Sequence, residues 1–87
     1  MVTVKPVGGI HSYEMREDDW PPITVFYFDA VVEIGDETYR CDFDSYDFSP
    51  EEWVAEVFPK MDYGERQKLS HEVWKAFKWV IDERGRW

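Results

Sequence analysis

Apolar positions alternate most regularly in ITVFYFDAVVEI, residues 23–34, and again in ETYRCDFDSY, residues 37–46, with Gly35 and Asp36 between them. Period-two alternation on both sides of a Gly-Asp pair is the pattern of two antiparallel strands joined by a two-residue turn. That turn sets Ile34 opposite Glu37 and fixes the rest of the register: Val32 meets Tyr39, Ala30 meets Cys41 and Phe28 meets Phe43 on one apolar face. A three-residue turn would oppose Val32 to Arg40 and bring polar groups into the core. The reverse face then carries Glu33 opposite Thr38, Val31 opposite Arg40, Asp29 opposite Asp42, Tyr27 opposite Asp44 and Val25 opposite Tyr46. Like charges facing each other across a ladder are unfavourable, so folding does not explain why Asp29 stands against Asp42.

The opening residues alternate more weakly, with Val2 and Val4 before Gly8 and Gly9, and Tyr13 and Met15 after them. A Gly-Gly loop predicts a second hairpin that pairs Val4 with Tyr13 and Val2 with Met15, with Pro6 confined to an edge. The acids and paired prolines of REDDWPP, residues 16–22, mark a connection. After the strands, Ser49, Pro50 and Glu52 form a helix start in which Ser49 caps and Pro50 takes the first helical position. Trp53, Val54, Val57 and Phe58 make its apolar stripe, and Pro59 ends it. Asp62 with Glu65 repeats the capping pattern for a second helix running to about Arg84, on which Leu69, Val73, Ala76, Phe77, Val80 and Ile81 recur at helical spacing. Trp74 and Trp79 flank that stripe. The expected fold is α+β: a four-stranded antiparallel sheet of two hairpins, with two C-terminal helices packed on the face bearing Phe26, Phe28, Val32, Tyr39, Cys41 and Phe43.

Composition narrows the class. With 87 residues, 44% hydrophobic and 18% aromatic, the chain holds one compact domain and one core. No apolar run approaches the roughly 20 residues of a membrane span, and the N-terminus lacks an apolar signal core. A single cysteine, Cys41, forms no internal disulfide, and the expected compartment is a reducing cytoplasm. Net charge is −9, but it is local: residues 14–56 carry fourteen acids against Arg16 and Arg40, while the segment from Val57 onward is slightly basic.

Candidate chemistry is sparse. Asp29 and Asp42 are the one carboxylate pair that the register brings together, and a solvated acidic face accounts for them more simply than acid–base catalysis does. With Asp44 and Glu33 they could hold Mg²⁺ or Ca²⁺, but a flat sheet converges few oxygens and no DxDxDG loop is present. His11 and His71 have no neighbouring nucleophile motif, Cys41 points inward, and neither GxGxxG nor a P-loop occurs. No enzyme, cofactor or metal is therefore expected. Direct nucleic-acid binding is disfavoured too, because phosphate neutralisation dominates such affinity and this chain is anionic.

Recognition by surface remains. Asp29, Asp42, Asp44, Glu33 and Asp36 present negative charge that would be steered to a basic groove, and Tyr27, Tyr46 and Trp20 offer rigid anchors. In size, acidity and lack of enzyme motifs the whole chain resembles the small inhibitors that phages and mobile elements direct against host defence, anti-CRISPR proteins among them. The resemblance is one of character, without a shared motif, and that group has no common fold from which residues could be carried over. It implies a protein partner in the host cytoplasm, such as a CRISPR effector, whose basic nucleic-acid-binding surface is occupied by charge mimicry. The alternative is an adaptor or homodimeric subunit binding through Trp20, Trp74, Trp79 or Trp87.

Overall fold

A computed structural model of the chain describes residues 1–84; Trp87, one of the expected anchors, lies outside the described residues. Three strands, β1 (Val2–Met15), β2 (Ile23–Ile34) and β3 (Glu37–Asp44), precede two helices, α1 (Pro50–Val57) and α2 (Tyr63–Arg84). The protein is α+β, a three-stranded antiparallel sheet of order β1-β2-β3 followed by the two helices.

The β2–β3 hairpin has the register that its alternation dictates, from Ile34 opposite Glu37 through Asp29 opposite Asp42 to Tyr27 opposite Asp44. Gly35 supplies the positive φ of 62° that a two-residue turn needs. Tyr46 departs from expectation, because β3 ends at Asp44 and Tyr46 belongs to the following loop instead of pairing with Val25.

The N-terminal hairpin is replaced by one long strand. β1 runs antiparallel along β2, with Val4 opposite Val32 and Tyr13 opposite Val25, so Gly8 and Gly9 are not a turn and the sheet has three strands rather than four. Their positive φ values, 79° and 97°, instead serve a bulge in which Gly8, Gly9 and Ile10 oppose Phe28 alone. Two extra residues preserve the strand's alternation, so Val7 before the bulge and His11 after it face the same side. A separate hairpin would have left Val2 and Val4 with only two strands' worth of cover. Spanning β2 buries Val4 in the main core. Pro6 is tolerated because its missing N–H belongs to the outward side of this edge strand, alternating with residues such as Thr3 and Lys5 whose groups face β2.

The core lies between the sheet and the helices. Val4, Phe28, Ala30, Val32, Cys41 and Phe43 from one sheet face close on Val54 of α1 and on Leu69, Val73, Phe77 and Val80 of α2. Tyr39 joins its margin through edge-on contacts with Trp53 and Phe58, at ring distances of 6.2 and 5.3 Å. Phe26, expected among the core residues, is half-buried and outside this cluster. It sits where β3 has already turned away, and its N–H bonds the Ser45 hydroxyl at 2.9 Å. Both helix starts follow local sequence: the Ser49 side chain accepts from the Glu52 N–H at 3.3 Å, and Asp62 accepts from the Gly64 N–H at 3.1 Å. Among the described residues no helix is long and apolar enough to cross a membrane.

Cys41 is buried beneath the helices, and desolvation, with the Asp42 charge adding to it, pushes its thiol up to about 12. The thiolate is the reactive form, so Cys41 is expected to resist a thiol reagent at pH 8 in the native protein and to react freely in denaturant. Complete labelling of the native state within the mixing time would contradict this packing.

Candidate protein-binding face of the sheet

The helices cover one side of the sheet, and strand alternation turns the other side outward. Across its middle run two rows: Val7, Asp29 and Asp42, then His11, Tyr27 and Asp44. The His11 ring stacks on Tyr27 at 5.3 Å and 27°, and Tyr13 leans on the same ring at 5.7 Å. Val25, partnered with Tyr13, is only 1% exposed although it points away from the helices. A shallow depression of about 750 Å³ opens beside the bulge, lined among others by Gly9, His11, Tyr27, Asp29 and Asp42.

Electrostatics make the Asp29–Asp42 pair distinctive. A hydrogen bond with the Asp29 carboxyl, then the charge of Asp29, then desolvation hold the Asp42 carboxyl above the usual range, and the Arg40 guanidinium works in the opposite direction. The Tyr13 phenol is raised as well, first by desolvation and then by the charges of Asp44 and Asp47. The face therefore collects negative potential around an aromatic patch.

The expected site residues do not form one surface. Tyr27, Asp29, Asp42 and Asp44 come together at the centre of the open face. Glu33 shares that face, but its carboxylate is bound by Lys5 Nζ at 2.8 Å, which offsets its charge. Asp36 is exposed in the β2–β3 turn at one end of the sheet. Tyr46, in the loop after β3, stays beside the central group: its N–H bonds the Asp44 carboxylate at 2.7 Å, and its phenol is among the groups that raise that of Tyr13. Trp20, 69% exposed, lies in the loop between β1 and β2 at the end of the sheet opposite Asp36; β2's twelve residues separate the ends by about 40 Å. Asp44 also shapes the chain locally, because its carboxylate accepts the N–H groups of Tyr46 at 2.7 Å and Asp47 at 3.3 Å and so sets the loop into α1.

His11 and Tyr13 are the members that sequence reasoning missed. A β1 hairpin placed Tyr13 with Val4, whereas the continuous strand carries both His11 and Tyr13 onto the open face. The usable signal was the even spacing of Val7, His11 and Tyr13, which keeps them on one side of any strand with a two-residue insertion. Among the described residues, no three or more His, Cys, Asp or Glu side chains are grouped to hold a metal ion. No family model, curated protein or solved structure matches the chain.

Proposed function

We propose that this protein is a small inhibitor that binds a basic groove of a nucleic-acid-processing host-defence enzyme, of the CRISPR-effector kind, and excludes nucleic acid by charge mimicry. The observation that carries this reading is the opposed pair Asp29 and Asp42 on an uncovered sheet face, beside the His11–Tyr27–Tyr13 aromatic layer. Asp42 and Asp44, two residues apart on the same face, stand about 6.6 Å from each other along the strand, so the face repeats negative charge in a row. The carboxylates supply steering and register, and the aromatic rings supply the contact area that exposed charge alone does not. Such an inhibitor works in the cytoplasm of the host cell, touches no nucleic acid itself and requires neither cofactor nor catalysis.

A second reading, an adaptor or homodimeric subunit, draws support from Trp20 and from Trp79, which is 64% exposed on α2. Salt separates the two, because exposed charge pairs are screened and apolar burial is not. With the protein as bait in a host lysate, mimicry predicts capture of a basic nucleic-acid-binding enzyme that DNA or RNA competes off and that salt releases. A partner that stays bound at about 1 M salt, where the Debye length is only about 3 Å, and ignores nucleic acid would replace mimicry by the adaptor reading.

A further inference from the structure

A sheet edge presents a row of unpaired backbone groups, and natural proteins blunt such edges with proline, bulges or cover. This sheet blunts one edge only. On β1, Pro6 lacks a donor and the bulge at Gly8–Ile10 breaks the ladder. β3 has neither device in its eight residues, whose pairing with β2 is unbroken from Glu37 to Asp44.

The geometry says which groups are free. Glu37 closes the two-residue turn with Ile34, and the Ser45 N–H bonds the Phe26 carbonyl at 2.9 Å, so the odd-numbered positions face β2. The backbone groups of Thr38, Arg40 and Asp42 therefore point outward, and nothing among the described residues pairs with them. Along this edge, between β3 and α1, runs an open groove of about 430 Å³. Its floor includes Phe48 and Trp53, and Asp42, Asp44, Asp47, Glu52 and Glu56 surround it against the single cation Arg40.

We propose that the outer edge of β3 is a docking site for an extended basic peptide segment of a partner protein, which adds to the sheet as a fourth strand. Main-chain bonds to Thr38, Arg40 and Asp42 hold it, in the manner of strand addition to other open edges. Because side chains alternate along a strand, lysines or arginines at every second position reach Glu52 and Glu56 on the α1 side. The residues between them lie beside Asp42 on the open face. Charge selects this occupant over a second copy, whose own α1 acids would be brought against the same groove. The inference goes beyond mimicry: a strand can add to β3 whether or not the open face excludes nucleic acid.

The test is amide hydrogen exchange, residue by residue, on the whole protein with the probe acetyl-Lys-Val-Lys-Val-Lys-Val-Lys-amide. The expected result is at least tenfold slower exchange at the Arg40 and Asp42 amides. A probe of the same charge with its central valine replaced by proline is expected to bind at least tenfold more weakly, because it lacks a donor. Equal binding of the two probes, or no added protection at Arg40 and Asp42 with millimolar probe, would overturn the proposal. Protection of those amides that rises with protein concentration without any probe would overturn it too, by making the occupant a second copy. Competition by DNA plays no part in this measurement, so its failure is distinct from failure of mimicry.

Discussion

Replacing Phe77 with alanine is expected to leave the protein largely unfolded or close to it. Phe77 is fully buried on α2, its ring stacked on Phe43 of β3 at 4.3 Å and 8°. It also meets Phe48 at 5.1 Å and Phe28 at 6.1 Å. One side chain thus joins the long helix, two strands and the loop between sheet and helices. Phenylalanine-to-alanine changes in cores cost about 3–5 kcal/mol, from lost transfer free energy and the cavity left behind. At about 0.05–0.15 kcal/mol per residue, a domain of this length has only about 4–13 kcal/mol in total. The urea midpoint should fall by roughly 3–5 M, taking a slope near 1 kcal/mol/M for so small a protein. Phe77→Leu, which keeps most of the volume, should retain a cooperative transition. A midpoint unchanged by Phe77→Ala would mean that α2 does not close the sheet as described.

The hairpin of β2 and β3 was legible in the sequence because the turn and the alternation point to the same register, and a one-residue slip would have turned Phe28, Val32 and Phe43 outward. The helices were legible for a similar reason: Ser49, Pro50 and Pro59 bound the first, and the stripe through Leu69, Val73 and Phe77 orients the second. The start of the chain was misread because glycine's freedom at positive φ serves a turn and a bulge equally well, and only the long-range pairing of Val4 with Val32 decides between them. That choice moved Tyr13 and His11 across the sheet and completed the aromatic side of the candidate site. The opposition of Asp29 and Asp42 was readable from register alone. The capture of Glu33 by Lys5 was not, because it needs the β1 partner that the hairpin reading lacked.

The double replacement Asp29→Asn with Asp42→Asn is expected to move stability and binding in opposite directions. Asparagine keeps the shape and hydrogen-bonding capacity of each side chain while removing the like charges that face each other. Asp44 stays untouched because its carboxylate holds the loop through Tyr46 and Asp47. The Asp42 carboxyl is raised in the folded protein, so the native state binds its proton more tightly than the unfolded chain does. Stability must then fall as pH rises from the ordinary carboxylate range through that raised value. The variant should melt higher at pH 7, and this part of the pH dependence should vanish from its unfolding curves. Binding should show the reverse. Charge steering raises association rates by roughly 10 to 10³, and loss of two central carboxylates should slow association with the partner on the order of tenfold at low salt, with a shallower salt dependence. A pair that costs the fold stability yet speeds association is there for recognition. An unchanged association rate would remove charge mimicry, and a lower melting temperature would show that the two aspartates stabilise each other by the shared proton instead of repelling.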